Sequence, residues 1–259
     1  MLPVVGLYLH RAERTDLLAD GLAGLLLTPL EDPFAEEVVV VPAKGVERWL
    51  AQRLSHRLGT GAGDGTGDGV CAGVRFLSTR SLVSLLLGRE RDDPWDPDRM
   101  VWPLLEVVDA ALDEPWCATL AAHLGHGIAG EEGELRRNRR YSVGRRLAGL
   151  FASYAVQRPA LLTDWRSGSS GGRATDGAGA ALDDDLAWQP ELWRRLVDRV
   201  GEPPDLRHTK TLARLADGAT DAEEALDLPS RLSLFGHTRL PRTEVELLRA
   251  LGRARDVHL

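Results

Sequence analysis

Residues 38–54 of this 259-residue chain run from four consecutive valines through Pro42-Ala43-Lys44-Gly45-Val46 to a helical pattern carrying Trp49 and Leu50. A strand, a short loop and a helix in that order form the unit on which nucleotide-hydrolysing folds hold phosphates. Such a loop reads G-x-x-x-x-G-K-[ST]. Its backbone N–H groups cradle the phosphates, its lysine neutralises them and its hydroxyl reaches magnesium. Neither Lys44 nor Lys210, the two lysines of the chain, follows a glycine, which excludes that loop. Lys44 is then either an exposed residue of an α/β turn or a contact to a nucleic-acid phosphate.

Other residues offer other chemistry. Residues 136–146 hold six arginines, Arg136, Arg137, Arg139, Arg140, Arg145 and Arg146, with Tyr141 among them. A basic cluster with an interleaved aromatic suits a nucleic-acid backbone and a stacked base. The competing reading is a solvated face partly neutralised by Glu131, Glu132 and Glu134, and the two weigh evenly. Gly168-Ser169-Ser170-Gly171-Gly172 matches the G-x-S-x-G nucleophile elbow. An elbow needs a strand before it and a helix after it, whereas residues 167–181 read as a Gly/Ser/Ala linker, so a serine hydrolase using Ser170 is the poorer reading. His123 and His126 lie three apart, close enough to share a helix face, but no carboxylate or cysteine pattern completes a metal set, and no metal is expected. The glycines of residues 59–69 fit no G-x-G-x-x-G register and read as a low-complexity loop. No cofactor is expected.

The elements that must position these residues follow from periodicity. Residues 4–10 read as a first strand and residues 15–27 as a helix, capped by Thr15, with Leu18, Leu22, Leu25 and Leu26 on one face. Residues 38–41 have the unbroken β-branched character of a strand buried on both faces of a parallel sheet. Residues 70–76 are expected to be a strand and residues 81–87 the start of a helix. Then come amphipathic helices with faces Leu104, Val107, Val108, Ala111 and Leu147, Leu150, Phe151, Tyr154. Trp188-Gln189-Pro190 precedes a helix bearing Leu192, Leu196 and Val197. Residues 231–235 read as a strand, 236–241 as a loop, 243–251 as a helix, and 257–259 as another strand. The chain stops there, as expected of a truncated domain.

The expected organisation is an α/β domain over residues 1–90, a helical insertion over 91–225, and a return to the α/β domain over 226–259. Strands 38–41 and 231–235 should lie in one parallel sheet. No internal repeat is present. The hydrophobic fraction of 43% and charged fraction of 27% are those of a globular protein, and no apolar run reaches the length of a membrane span. The N-terminus lacks the basic and long apolar regions of a signal peptide. Cys71 and Cys117 are isolated, which fits a reducing cytoplasm. The net charge of −7 argues against a small domain held to DNA by its overall charge. The preponderance of arginine over lysine reads as GC-rich coding rather than selection for forked phosphate contacts.

Asp32-Pro33-Phe34 followed by Val40-Val41-Pro42-Ala43-Lys44-Gly45-Val46-Glu47-Arg48-Trp49-Leu50 resembles the opening of the exodeoxyribonuclease V gamma subunit (RecC) family. Further matches are Tyr154-Ala155-Val156-Gln157-Arg158-Pro159 with Trp165, then Trp188-Gln189-Pro190-Glu191-Leu192-Trp193. Leu228-Pro229-Ser230-Arg231, Phe235-Gly236-His237 and Leu240-Pro241 complete the set, which spans almost the whole chain. The resemblance implies a superfamily 1, P-loop helicase-like α/β fold with a decayed ATP site, a parallel sheet in which strands 38–41 and 231–235 are neighbours or nearly so, and a mainly helical insertion. It also implies a subunit without a catalytic site of its own. That subunit would work in the cytoplasm with a RecB-like beta subunit and a RecD-like alpha subunit, on single-stranded and duplex DNA at double-strand breaks. A second helicase motif would put Asp-Glu at the end of a strand to hold magnesium, where Phe235 and Gly236 stand here. Lys44, Arg48, Arg136, Arg137, Arg139, Arg140, Tyr141 and Arg158 are the expected DNA contacts. The loop after the second strand departs from the family, whose relatives carry polar side chains facing the DNA channel where Pro42 and Lys44 occur. An AddB-type subunit has a similar decayed N-terminus, but its family also needs iron–sulfur cysteines that Cys71 and Cys117 alone do not supply.

Overall fold

The computed structural model of the chain describes residues 6–32, 34–59, 69–89, 92–168, 174–216 and 226–259. It divides into two compact units, one of Met1–Glu90 with Thr211–Leu259 and one of Arg91–Lys210. The return to the first unit therefore comes at Thr211, inside a helix, rather than at residue 226.

The first unit is built on a five-stranded sheet in the order β1-β5-β4-β2-β3, with every pairing parallel. Its strands are β1 (Leu7–Tyr8), β2 (Glu37–Val41), β3 (Val74–Ser78), β4 (Arg231–Leu234) and β5 (Asp256–His258). The helices α1 (Thr15–Leu26), α2 (Lys44–Ser55), α3 (Thr79–Leu86) and α11 (Arg242–Leu251) cover it. The valine run of β2 shows why both faces must be covered. Val38 and Val40 pack with Leu82 and Leu86 of α3 and Leu247 and Leu248 of α11. Val39 and Val41 pack with Ala19 and Leu22 of α1 and Leu50 and Leu54 of α2. Alternate side chains of one strand thus enter two separate cores, and a polar residue at any of the four positions would be stranded in one of them. β2 and β4 are hydrogen-bonded neighbours, with Val38 opposite Leu232 and Val40 opposite Leu234, as the family resemblance implies.

Several boundaries differ from the sequence expectation. Among the described residues β1 holds only Leu7–Tyr8, and Val4 and Val5 lie outside them. β3 begins at Val74 rather than Val70, because Gly73 takes a left-handed φ of +69° that an extended run cannot contain. Thr15 is not a cap. Arg14 holds the extended N-cap position without a side-chain cap bond, and its guanidinium pairs with Asp16. α2 already begins at Lys44, so the connection from β2 is only Pro42-Ala43. The helix α9 (Trp188–Val200) takes in Gln189 and Pro190 in its first turn, where a missing N–H costs nothing.

The second unit is helical. It comprises α4 (Pro97–Ala110), α5 (Ala118–His123), α6 (Gly130–Arg137), α7 (Arg140–Gln157), α8 (Pro159–Ser167), α9 (Trp188–Val200) and the start of α10 (Pro204–Ala216). Its core gathers Met100, Leu104, Phe151, Leu162, Trp165, Leu192, Trp193 and Leu196. Trp193 lies between Trp95, 5.0 Å away by ring centroids, and Phe151, at 5.4 Å.

Within the Gly/Ser/Ala stretch at 167–181, residues 174–181 are not the free linker their composition implies. Ser167 ends α8, and residues 174–181 close on themselves through a bridge between Thr175 and Ala181. The Trp165 indole N–H donates to the Thr175 carbonyl (3.0 Å), and the Thr175 N–H and hydroxyl both donate to Asp164 (3.0 and 2.8 Å). One tryptophan and one carboxylate of α8 pin this segment, information that composition does not carry. Residues 60–68 of the other glycine-rich stretch, and Ser170 of the serine motif, lie outside the described residues. The motif is preceded by the helix α8 and not by the strand a nucleophile elbow needs.

Candidate nucleic-acid interface

The carboxyl ends of parallel strands are where open α/β sheets bind ligands. In the first unit that edge is occupied by apolar and self-paired groups. Lys44, in the first turn of α2, donates to both carboxylate oxygens of Glu47 (3.0 and 2.9 Å). Trp49, one turn further, lies over Phe235 with ring centroids 6.1 Å apart and planes 28° off parallel. Phe235 is 5% exposed, and its N–H donates to the Val40 carbonyl (2.8 Å), which fixes it between the ends of β2 and β4. The aromatic pair fills the space between the ends of these two strands. Beside it His237 meets the Thr79 hydroxyl at 2.7 Å, and burial pushes its pKa below the usual histidine range. Arg48 is exposed and has no side-chain hydrogen bond or ion pair among the described residues.

The arginine cluster belongs to the second unit, at the end of α6 and the start of α7, and the fold uses most of it internally. Arg136 donates to the Ala122 carbonyl (2.9 Å) and to Glu132 (2.5 Å). Arg137 reaches the carbonyls of Ile128 (3.2 Å) and Gly125 (3.5 Å), where the chain turns from α5 into α6. Arg140 pairs with Asp109 of α4, and Arg145 stands 3.9 Å from Asp98. Glu132 is the only one of the three expected acidic neighbours in an ion pair with the cluster among the described residues. Arg139 and Arg146 are exposed and free of such partners among those residues. Arg139 holds the N-cap position at the start of α7, and Arg146 follows seven positions later on its exposed side. Arg158, exposed at the junction of α7 and α8, adds to the pull that holds Asp176 below the usual carboxylate range, behind the N–H groups of Ala178 and Ala180.

Tyr141 is half-exposed and meets Trp102 of α4, with ring centroids 5.7 Å apart and planes tilted by 46°. Close approach of the helices brings them together. Gly144, one turn along α7, is so near α4 that a Cβ there would lie 2.9 Å from Leu105. The two rings, Leu105, Glu106, Asp109, Arg137, Asn138 and Arg140 line an open groove of roughly 530 Å³. The sequence did carry a signal for Trp102. The buried face of α4 follows Leu104, Val107, Val108 and Ala111, and Trp102 stands out of phase with it, 63% exposed. A large aromatic out of phase with its helix's apolar stripe is a surface feature that core packing does not explain.

His126 pairs with Asp113 (2.8 Å), and no group of three or more His, Cys, Asp or Glu suited to a metal occurs among the described residues. No helix among them is long and apolar enough to cross a membrane.

Residues 7–259 match the family described as RecC, N-terminal domain. The chain is similar to the RecBCD enzyme subunit RecC of Mycolicibacterium smegmatis, 61% identical over 256 residues that make up 98% of this chain and 21% of that protein. It is also similar to the RecBCD enzyme subunit RecC of Mycobacterium tuberculosis (strain CDC 1551 / Oshkosh), 59% identical over 257 residues, 98% of this chain and 22% of that protein. With the Escherichia coli K12 subunit of the same name it shares 25% identity over 240 residues, 89% of this chain and 19% of the relative. The chain thus spans about a fifth of the length of these curated relatives.

Proposed function

This chain belongs to the RecC family, and from that premise we propose that it forms the helicase-shaped N-terminal part of a non-catalytic DNA-channel subunit. The subunit works in a RecBCD-type helicase–nuclease with RecB-like and RecD-like partners, processing double-strand breaks for homologous recombination in the cytoplasm. Its α/β unit is a superfamily 1, P-loop helicase-like domain whose ATP site has decayed.

The observation that carries this reading is the contact of Trp49 with Phe235 between the ends of β2 and β4. A working site at this edge would need a phosphate loop after β2 and carboxylates after β4. Here the connection after β2 is Pro42-Ala43, Lys44 is committed to Glu47, and Phe235 occupies the acid's position. A sheet shaped for nucleotide but plugged by aromatic packing supports a scaffold rather than a motor. For the DNA path, the exposed and uncommitted Arg139 and Arg146 support phosphate contacts, whereas Arg136, Arg137 and Arg140 hold the fold together.

Two measurements on the full-length subunit test the proposal. Magnesium-dependent ATP turnover should be indistinguishable between wild type and Lys44→Ala, and turnover that Lys44→Ala abolishes would refute the decayed site. On a single strand, Arg139→Ala/Arg146→Ala should flatten the log–log salt dependence of binding by about 1.4, at about 0.7 for each phosphate no longer neutralised. An unchanged slope and affinity would remove these two arginines from the DNA path.

A further inference from the structure

We propose that Trp102 and Tyr141 form a base-stacking site for single-stranded nucleic acid, with one base lying on the open face of the Trp102 indole. This site rests on the proposal that the chain lies along a DNA path, and adds to it a non-electrostatic contact of its own.

Exposure and order coincide at these two rings. Trp102 is 63% and Tyr141 51% exposed, an unusual cost in apolar surface left in water for two large rings that touch. Each is nonetheless held. The tilted contact at 5.7 Å steadies both rings, and the tight approach of Leu105 to Gly144 fixes the helices that carry them. A stacking platform needs a ring that is ordered before the base arrives and open on one face.

The local charge also suits an anionic strand. Both groove carboxylates are already neutralised, Asp109 by Arg140 and Glu106 by Arg199 at 2.8 Å, so neither is left unpaired to repel a phosphate. Arg145 is 65% exposed and only 3.9 Å from a carboxylate of Asp98 that is itself 81% exposed, a weak pair that a phosphate can displace. The surroundings therefore accept a nucleic-acid backbone although the whole chain carries −7.

The lining of the groove separates a base from a protein partner. A docked helix or strand needs a broad apolar floor. Apart from the two rings, Leu105 is the only apolar side chain lining the groove among the described residues, and the other lining groups are charged or amide. A planar ring stacked on an indole needs no such floor, and every base has a face to offer.

The test titrates the full-length subunit with a fluorescein-labelled oligo-dT strand and with an abasic strand of equal length. Trp102→Ala should weaken oligo-dT binding by about 5- to 150-fold, the range for removing one stacked base. Trp102→Phe should keep most of the affinity, and the abasic strand should not distinguish wild type from Trp102→Ala. The salt slope should stay constant, because the variant keeps every phosphate-neutralising arginine. An equal drop in affinity on the abasic strand would overturn stacking. Unchanged oligo-dT affinity in Trp102→Ala, with a flattened slope in Arg139→Ala/Arg146→Ala, would sink this site and leave the DNA path standing. Indifference of both variants would remove both. Unchanged DNA affinity with loss of partner-subunit co-elution in Trp102→Ala would make the pair a protein-docking face and overturn the proposal.

Discussion

Arg231 and Glu37 join the two central strands of the sheet, and replacing one of them should be far more damaging than replacing both. Glu37 opens β2, next to the Val38–Leu232 pair, and Arg231 opens β4. The guanidinium donates to both carboxylate oxygens through Nε and Nη2, and Nη2 also donates to the Thr28 carbonyl (2.7 Å) in the connection from α1. Both side chains are only about a tenth exposed, at 11% and 12%. Glu37→Ala would leave a guanidinium with little access to water and without its ion-pair partner, a change that typically costs about 3–5 kcal/mol. The residual exposure favours the lower end, about 3 kcal/mol, or about a hundredfold in the folded-to-unfolded ratio. Glu37→Met/Arg231→Met removes both charges and keeps the volume. It should cost no more than about 1–2 kcal/mol, mostly for the Thr28 carbonyl that is left without its donor. Urea denaturation of Glu37→Met, Arg231→Met and the double variant closes the cycle, and the coupling should exceed about 2 kcal/mol. If Glu37→Ala costs under about 1 kcal/mol, or if the two single effects simply add, the burial argument for this pair is wrong.

Three other outcomes follow from particular contacts. A Cβ on Gly133 would meet the Ile128 carbonyl oxygen at 2.0 Å, so Gly133→Ala should destabilise the α5–α6 corner by about 3 kcal/mol in thermal denaturation. Trp165→Phe removes the indole donor to Thr175, so limited proteolysis should cut within residues 174–181 faster while stability falls by about 1–2 kcal/mol. Burial pushes the Glu191 carboxyl up, but hydrogen bonds from Arg194 and Arg195 outweigh it and hold the group below its ordinary value of 4.5. Because its folded pKa is depressed, its contribution is present above about pH 4.5 and lost as pH falls below that. Acid denaturation of Glu191→Gln should lack this part of the pH dependence.

The amino-acid sequence by itself determined the architecture where burial is periodic. Four consecutive valines dictate a strand covered on both faces, and the leucine spacing in residues 15–27 and 243–251 dictates the helices that cover the sheet. It also determined that no phosphate loop follows β2, because that chemistry depends on which residues are adjacent in the chain. Where backbone geometry set a limit, periodicity overran it, as at Gly73, where a left-handed glycine delays β3. Composition misjudged residues 174–181 for a related reason, since glycine, serine and alanine report local freedom and not the hydrogen bonds that Trp165 and Asp164 supply from another segment. The candidate interface divided along the same line. Six arginines within eleven residues show positive charge, but which of them are free depends on partners far away in sequence, such as Asp109 for Arg140 and the Ala122 carbonyl for Arg136. The meeting of Trp102 with Tyr141 was decided by tertiary structure alone, because only the close approach of α4 to α7 at Gly144 places rings from two helices within contact of each other.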